Sequence, residues 1–303
     1  MKKISLIILN WNGKADALAC LKSLRELRVM NYELRIIIVD NASEDSSVEE
    51  IHKKFPQVVI LENNENLGFA EGNNVGIREA LKEGADCIIL LNNDTLVDND
   101  LVEELLKAAE SDPIIGVVSP KIYFAPGFEF HKDRYKGEDR GKVIWYAGGE
   151  IDWQNVLGSH RGVDEVDSGQ YNKVEETNFA TGCCMLVKRE VFKTTGLLDK
   201  KYFLYYEDTD FCQRARRAGY KILYTPKAIV WHKNAASSDK PGSPTHVYYQ
   251  TRNRLLFGFL YASLRTKMAL FRESLRFLLE GGIKRKAVLD FYRGKFGQGR
   301  FSK

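Results

Sequence analysis

Four short apolar runs in the first hundred residues constrain the fold more than any other feature of this chain. Two segments with helical spacing of apolar residues, 16–27 and 71–82, lie between them. Strands that alternate with helices indicate βαβ units and a mostly parallel sheet. We therefore expect an α/β fold with a central sheet flanked by helices. The predicted strands are residues 4–9, 35–39, 58–61 and 87–91.

A cluster of Asn, Asp and Gly residues follows each predicted strand, at 10–13, 40–43, 63–68 and 92–94. Ligands of such sheets bind beyond the carboxyl ends of the strands. One cluster could be ordinary turn chemistry, but four in succession indicate a ligand site. No G-x-G-x-x-G or G-x-x-x-x-G-K-[ST] motif is present, which excludes the Rossmann dinucleotide and P-loop classes.

Two carboxylates at these strand ends are candidates for nucleotide and metal binding. Asp40 can accept hydrogen bonds from a base or from ribose hydroxyls, and residues 66–74 add glycines and amides. Asp94 is a lone carboxylate at the end of strand 87–91, which suits a hard divalent cation that bridges two phosphates. Asp40 could instead cap a helix or form an Asx turn, and Asp94 could instead cap a helix.

Three carboxylates stand together at Glu207, Asp208 and Asp210. Acidic residues are common in the first turn of a helix, and Asp210 has the i,i+4 spacing for an ion pair with Arg214. That leaves Glu207 and Asp208 without a structural role. We expect Asp208 to be a general base, with Glu207 as the alternative.

Two further side chains are candidates with structural alternatives of similar weight. His232 could complete the coordination of a metal at Asp94, although a lone histidine is more often structural. Arg252 could neutralise a diphosphate leaving group, or it could be a solvated or lipid-facing charge.

The C-terminal tail carries a strong positive charge. From residue 251 onward there are thirteen Lys or Arg and three acidic residues, a net charge of +10, which leaves −6 for residues 1–250. A basic amphipathic helix of this kind indicates an anionic membrane surface, and the acidic remainder argues against nucleic acid. Packing on the catalytic domain or a homodimer contact is the alternative. The expected apolar face contains Phe257, Leu260, Leu264, Phe271, Leu275 and Leu278.

The five cysteines are odd in number and show no C-x-x-C spacing, as expected of reduced thiols in a cytosol. The apolar run at 4–9 is too short for a signal peptide. We therefore expect a cytoplasmic protein at the inner face of the cell membrane. Residues 125–178 are irregular, and residues 235–244 are expected to form a mobile lid.

The motifs in their order resemble the inverting family 2 glycosyltransferases of the GT-A fold, especially the rhamnosyltransferase-like branch. The resemblance covers roughly residues 1 to 260. It implies a nucleotide-binding half at 1–97, a catalytic and acceptor half at 98–235, and a loop and tail at 236–303. The matching pieces are residues 6–12, 38–43, 66–73, 91–94, 181–182, 196–199, 206–214, His232 and 249–253.

The resemblance implies an Mg²⁺ or Mn²⁺ ion at Asp94 and His232, a dTDP- or UDP-sugar donor, and a glycan or lipid-linked acceptor deprotonated by Asp208 with inversion at the anomeric carbon. The implied donor-binding residues are Asn10, Asn12, Asp40, Asn41, Asn66, Gly68, Phe69, Gly72, Asn73, Asn93 and Arg252. The implied acceptor-binding residues are Trp145, Gly148, Gly149, Thr181 and Gly182.

Two departures from the family pattern refine this expectation. Asn92 replaces the first carboxylate of the D-x-D metal motif, which leaves Asp94 as the main ligand. The Q-x-x-R-W motif of processive synthases is absent, which favours transfer of one sugar or a short run, with rhamnose as the first expectation.

Two other functions are the alternatives to this interpretation. A sugar-1-phosphate nucleotidyltransferase would need a basic glycine-rich loop after strand one. A catalytically inactive carbohydrate-binding module would not need Asp94, Glu207 and Asp208 together.

Overall fold

The computed structural model describes residues 1–131, 133–234 and 242–300. Within them the first strands and helices alternate, as the sequence predicts. The strands are β1 Lys2–Asn10, β2 Tyr32–Asp40, β3 Val59–Glu62, β4 Cys87–Asn92, β5 Thr95–Val97, β6 Ile115–Phe124, β7 Ile144–Tyr146, β8 Gly149–Asp152, β9 Leu157–His160, β10 Glu175–Glu176, β11 Cys184–Lys188 and β12 Lys221–His232. The helices are α1 Lys14–Leu24, α2 Ser47–Lys54, α3 Gly68–Lys82, α4 Leu101–Glu110, α5 Arg189–Thr195, α6 Glu207–Arg217, α7 Pro244–Tyr261, α8 Leu264–Glu280 and α9 Gly282–Tyr292.

One mixed sheet forms the centre of the described residues, in the order β10-β12-β6-β11-β4-β1-β2-β3. Strands β3, β2, β1 and β4 pair in parallel, and β6 pairs in parallel with β12. Strand β11 runs antiparallel to both β4 and β6, so it joins the two parallel groups. The predicted α/β architecture with a mainly parallel central sheet is confirmed.

The four parallel strands bring their carboxyl ends to one edge of the sheet. Asn10 of β1 pairs with Asp40 of β2, and Leu9 of β1 pairs with Asn92 of β4. Residues 4–9 of β1, 36–39 of β2 and 87–91 of β4 are almost continuously apolar and mostly buried, as expected of strands covered on both faces. The polar clusters at the strand ends therefore lie side by side.

Helix α3 packs close against β1 and β2 because two of its residues are glycines. A Cβ atom on Gly72 would lie 2.6 Å from Leu9 Cδ1 and 2.9 Å from Asn41 Nδ2. A Cβ atom on Gly76 would lie 2.6 Å from Ile7 Cγ2 and 3.0 Å from Val39 Cγ2. These glycines serve helix–sheet packing.

The segment predicted to be irregular, 125–178, contains a short hairpin of β8 and β9 and the strands β7 and β10. Part of it is buried: Tyr146 and Val156 are fully inaccessible to solvent. A continuous cluster of buried apolar residues extends from Ile4 to Val288. The division into segments 1–97, 98–235 and 236–303 stays a prediction.

The tail folds into helices α7, α8 and α9, which pack on one another and on the sheet domain. The predicted apolar face needs correction, because Phe257 is fully buried and stacks on Trp153 at 5.7 Å between ring centroids. None of the helices in the described ranges has the length and apolar character to span a bilayer. Most of the expected lid, residues 235–241, lies outside the described residues.

We predict that Gly76→Ala destabilises the protein by about 1–3 kcal/mol, because the added methyl group overpacks a site between two β-branched side chains. Ile7 and Val39 are both fully buried and cannot move aside. This loss outweighs the gain of up to about 1 kcal/mol in helix propensity. Urea unfolding measures the change.

Gly137→Ala is the control, because a Cβ atom there would meet nothing within 4 Å. The packing explanation is wrong if the two substitutions change the free energy of unfolding equally.

Candidate active site

Buried amide groups tie the carboxyl ends of β1, β2 and β4 together. Asn10 Nδ2 donates to Asp40 Oδ1 at 3.0 Å, and Asn93 Nδ2 donates to Asn10 Oδ1 at 2.9 Å. Asn41 Nδ2 donates to Asn66 Oδ1 at 3.2 Å and to the Gly68 carbonyl at 3.1 Å. The predicted strand-end clusters thus form one connected network.

A cavity of about 580 Å³ opens above this network. Its size suits a small-molecule substrate. Most of the site residues expected from the sequence line it together. These are Asn41, Asn66, Gly68, Phe69, Asn93, Asp94, Trp145, Thr181, Gly182, Glu207, Asp208 and His232.

Asp94 and His232 face each other in this cavity. His232 Nε2 lies 3.1 Å from Asp94 Oδ1, and both residues are about 95% buried or more. Strand β5 pairs with β12 and sets this contact, since His232 is opposite Thr95 in the register. The Nδ1 atom of His232 has no hydrogen-bond partner among the described residues.

The pair fits a divalent cation. Neighbouring ligands of an octahedral Mg²⁺ or Mn²⁺ ion, each about 2.1 Å from the metal, lie about 3 Å apart. Carboxylate and imidazole are both accepted by Mn²⁺. No group of three or more His, Cys, Asp or Glu side chains in the described ranges could hold a metal. A cation bound here would take two ligands from Asp94 and His232, with water or a substrate at the remaining positions.

Trp145 lies between two histidines at the cavity wall. Its ring centroid is 4.4 Å from that of His160 and 4.6 Å from that of His232, both edge to face. Burial lowers the pKa of His160 to about 4, so this ring is neutral at neutral pH. His160 Nδ1 lies 3.2 Å from the Trp145 carbonyl oxygen. The two histidines hold the indole at the cavity wall.

Asp208 faces the cavity from the first turn of α6. Its Oδ2 accepts a hydrogen bond from Gly182 N at 2.8 Å, and its Oδ1 accepts one from Thr209 N at 2.6 Å. Burial raises the pKa of this carboxyl, and the hydrogen bonds oppose that rise. A carboxylate held by amides and with an elevated pKa has the properties of a general base.

Glu207 is buried beside it. Its Oε2 atom has no hydrogen-bond partner among the described residues. Burial, and then the neighbouring charge of Asp208, raise the pKa of Glu207 well above its usual range. Burial therefore favours the protonated form of Glu207, which can donate a hydrogen bond, whereas the hydrogen bonds to Asp208 favour its charged form and make it the better candidate base.

The backbone before α6 is strained. Phe203, Tyr205 and Tyr206 all have left-handed φ angles, of 64°, 69° and 73°. This conformation costs an L-residue roughly 1–2 kcal/mol. All three side chains line the cavity, and Tyr206 precedes Glu207 directly.

Several predicted donor-binding residues support the site instead of lining it. Both oxygens of Asp40 accept hydrogen bonds within the protein, from Asn10 and from Ser43. The Asp40 side chain thus shapes the turn after β2, which is the kind of structural role that the sequence left as the alternative. Asn12 accepts a hydrogen bond from Glu44 N at 2.7 Å and holds the same turn.

The remaining predicted residues outside the cavity lining have packing roles. Gly72 lies against β1, and Asn73 Nδ2 donates to the Phe69 carbonyl at 2.9 Å. A Cβ atom on Gly149 would lie 2.6 Å from the ring of Phe179, and one on Gly148 would lie 2.9 Å from Arg161 Nη2. The glycines at 148 and 149 thus allow close contacts behind the cavity wall.

The expectation for Arg252 is wrong in this structure. The side chain is fully buried, and its guanidinium donates to the carbonyl oxygens of Lys201, Tyr202 and Gly297 and to Asn253 Oδ1. The guanidinium also lies 5.0 Å from the ring centroid of Tyr249. The guanidinium is therefore directed at the backbone of the protein, and Arg252 is not among the residues that line the cavity.

Sequence reasoning missed His160, Phe179, Phe203, Tyr249 and Gln298 as lining residues. They come from the irregular middle segment, from the strained segment before α6 and from the tail. None of these regions has a periodic pattern that predicts where a side chain points. The aromatic content of the middle segment was the one available signal.

A known protein family and several known proteins are similar to this chain. The model of glycosyl transferase family 2 matches residues 5–196. The chain is 25% identical over 259 residues to the low-salt glycan biosynthesis hexosyltransferase Agl10 of Haloferax volcanii, covering 84% of this chain and 74% of the relative. It is 24% identical over 213 residues to the N-acetylglucosaminyl-diphospho-decaprenol L-rhamnosyltransferase of Mycobacterium tuberculosis, covering 68% of each.

A solved structure of GalNAc-T7 with UDP, GalNAc and Mn²⁺ has the same fold. It superposes with a TM-score of 0.59 at 17% identity, covering 82% of this chain. The chain spans about half of that longer protein, 48%. The predicted GT-A fold is confirmed. These similarities do not favour the nucleotidyltransferase or the binding-module alternative.

We predict that Glu207→Gln stabilises the protein at pH 8 and has a much smaller effect at pH 5. A carboxyl whose pKa is raised in the folded state loses stability as the pH rises above its unfolded value of about 4.3. Glutamine has no charge to bury, so the difference between variant and wild type grows with pH. Urea unfolding at several pH values measures it.

The same substitution at the exposed Glu190, in the first turn of α5, is the control. A pH-independent difference between Glu207→Gln and wild type would contradict the raised pKa.

Proposed function

Because the chain belongs to glycosyl transferase family 2, we propose that it transfers a sugar from a nucleotide-diphosphate donor to a hydroxyl of a glycan or lipid-linked acceptor. The observation that carries this proposal is the arrangement of Asp94 with His232 and of Asp208 with Glu207 in a single cavity. One pair fits a metal ion, and the other fits proton transfer.

The nucleotide end of the donor lies at the sheet edge in this proposal. Asn41, Asn66 and Trp11 line that part of the cavity beside Asp94. The bound divalent cation would supply neutralisation of the charge that develops on the diphosphate as the sugar leaves. Asp94 and His232 would hold it, and the substrate phosphates would complete its coordination. The solved structure of GalNAc-T7, which contains UDP and Mn²⁺, supports a nucleotide donor that binds together with a divalent cation.

Asp208 acts as the base in a single displacement. It takes the proton from the acceptor hydroxyl as the oxygen attacks the anomeric carbon from the face opposite the diphosphate, and the configuration inverts. The amides of Gly182 and Thr209 hold the carboxylate in place. The raised pKa of Glu207 disfavours a second negative charge beside the attacking oxygen. Trp145 offers a stacking face for the acceptor or donor sugar.

The sugar and acceptor classes are proposed from the relatives. One is a hexosyltransferase and the other an L-rhamnosyltransferase that acts on a diphospho-decaprenol-linked sugar. Rhamnose from a dTDP or UDP donor and a lipid-linked glycan of the cell envelope are therefore the first substrates to test.

We predict that Asp94→Asn abolishes donor binding that depends on Mn²⁺, whereas Asp208→Asn retains binding and loses turnover. Removing a general base costs about 10²–10⁴ in kcat. A donor at 100 times its Kd stabilises the folded state by about 2.7 kcal/mol, which thermal shift detects. The screen uses UDP-, dTDP- and GDP-sugars with and without Mn²⁺.

Asp133→Asn, an exposed aspartate outside the cavity lining, is the matched control. If no nucleotide sugar raises the Tm of the wild type, the assignment of the donor site is wrong. If Asp208→Asn turns over normally, the base has been misassigned.

The outer face of α8 is the proposed membrane contact. Helix α8 buries Thr266, Leu270, Ser274 and Phe277 against the protein. The opposite face carries large apolar side chains that are exposed to solvent, with Leu264 74% and Leu279 88% exposed. We call this stripe the apolar face of α8: Leu264, Met268, Phe271, Leu275 and Leu279.

Basic residues flank the apolar face of α8 and indicate its partner. At 100° per residue, Arg265, Arg272 and Arg276 fall along one border of the stripe. Lys284, Arg285 and Lys286 are exposed at the start of α9, just beyond its end. An apolar stripe with basic borders suits an anionic bilayer surface, since the side chains enter the acyl boundary and the charges meet lipid phosphates.

We predict that the protein floats with vesicles of phosphatidylcholine and phosphatidylglycerol, and that Phe271→Ser combined with Leu275→Ser and Leu279→Ser weakens this binding at least roughly tenfold. The replaced side chains are exposed, so the fold is retained. The double change Arg272→Gln and Arg276→Gln weakens binding to the anionic vesicles only.

Ala269→Ser, an exposed position away from the stripe, is the control. If the wild type does not bind vesicles and forms a dimer, and the triple variant is a monomer, the apolar face of α8 is instead a contact between two copies.

A further inference from the structure

The segment from Lys201 to Tyr206, here called the 201–206 segment, forms one wall of the cavity and leads directly into Glu207 and Asp208. Three of its residues hold left-handed backbone angles although none is glycine. Such strain persists only where the surroundings over-determine the conformation, and it concentrates at functional sites. Something in the structure must therefore hold this segment.

Two adjacent residues of α7 do so, through side-chain donors aimed at four of the segment's carbonyl oxygens. Asn253 Nδ2 donates to the carbonyls of Tyr202 at 2.9 Å, Leu204 at 2.8 Å and Tyr205 at 2.9 Å. Arg252 Nη2 donates to the carbonyls of Tyr202 at 2.9 Å and of Lys201 at 3.1 Å.

The two residues also hold each other. Arg252 Nε donates to Asn253 Oδ1 at 3.0 Å, which orients the amide so that its NH₂ group faces the segment. Both side chains are fully buried. Arg252 Nη1 donates to the Gly297 carbonyl at 2.7 Å, so the end of the tail braces the guanidinium from behind.

The held segment reaches the nucleotide side of the cavity as well as the carboxylates. The Phe203 carbonyl accepts hydrogen bonds from Phe69 N at 2.6 Å and from Ala70 N at 3.3 Å, at the start of α3. At its other end, Tyr206 precedes the first turn of α6, where Asp208 meets Gly182 N. A shift of the segment would therefore move both walls of the cavity.

We propose that Arg252 and Asn253 are positioning residues for the transfer reaction: they fix the 201–206 segment in its left-handed path and so set the place of Asp208. This inference rests on the role of Asp208 in the proposed function. It assigns the C-terminal tail a part in catalysis that is separate from any membrane contact. It also replaces the expectation that Arg252 binds the diphosphate.

The test is Asn253→Ala, which removes the donors to the segment and replaces no residue that lines the cavity. We expect kcat for sugar transfer to fall at least roughly tenfold, because the base moves. We expect donor affinity to fall by a smaller factor, because the donor side also rests on the hydrogen bonds of Asn10, Asn41 and Asn93. The acid limb of the kcat–pH profile should shift, since the amides that hold Asp208 influence its pKa.

Arg252→Lys is the second variant. A lysine keeps the positive charge but cannot reproduce a planar fork across several carbonyls. Positioning predicts the same loss of kcat as in Asn253→Ala. Direct charge neutralisation of the diphosphate predicts a largely retained kcat.

Hydrogen exchange provides a readout that does not depend on activity. Peptides that contain Phe69 and Gly182 should exchange faster in both variants, because the acceptors of those amides belong to the segment or are placed by it. Peptides from β1 should be unchanged. A variant in which β1 is also exposed has lost its fold, and Asn253→Ser, which keeps one donor, then takes its place.

Arg254→Ala is the matched control on the same helix. The Arg254 side chain donates to the Asn155 carbonyl and to Glu273, and to no carbonyl of the segment. The proposal is overturned if Asn253→Ala keeps normal kcat and normal exchange at Phe69 and Gly182, or if Arg252→Lys loses donor affinity instead of kcat. A wild type that transfers no sugar counts against the proposed function alone, since the exchange result still decides the positioning role.

Discussion

Asn10 is the residue on which the geometry of the site depends. Its side chain is fully buried at the end of β1, where it donates to Asp40 of β2 and accepts from Asn93 after β4. A buried amide that lost either partner would cost about 1–3 kcal/mol, so the three strand ends are held in one arrangement. A Cβ atom on Gly13 would lie 2.3 Å from Asn93 Nδ2, so this turn leaves the network no room to shift. Asp94 follows Asn93 directly, so the network that holds Asn93 also places Asp94.

The carboxylates of the site differ in how much of their hydrogen-bonding capacity the protein itself uses. Asp40 is fully engaged by Asn10 and Ser43, so it shapes the turn. Glu207 keeps a buried oxygen without a partner among the described residues, at the cost of a raised pKa. Buried polar groups are normally satisfied, and exceptions concentrate where chemistry occurs. The distribution of partners separates Asp40, whose carboxylate shapes a turn, from Glu207, whose buried oxygen lacks a partner among the described residues, a distinction that charge and spacing alone could not make.

The sequence was sufficient for the parallel half of the fold and for the edge where ligands bind, because apolar periodicity determines both the strands and the side on which they end. It also identified Asp94, His232, Glu207 and Asp208, which the structure brings into one cavity. It could not locate His160, since no periodic pattern surrounds it. It misassigned Arg252, because the acceptors of this guanidinium are carbonyl oxygens about fifty residues earlier in the chain. Backbone acceptors leave no signal in the identity of a residue.

The tail shows why net charge is a weak guide to the role of a single cation. The excess of basic residues after residue 251 suggested one anionic partner, but the structure separates these residues by depth. Arg252 is buried and bound to carbonyl oxygens, whereas Arg265, Arg272 and Arg276 are exposed beside an apolar stripe. Helices α7, α8 and α9 pack on one another. Helix α7, which holds the 201–206 segment, is therefore packed with α8, which presents the exposed apolar face of α8. An acceptor bound to a membrane would approach a site whose geometry depends on the same three helices.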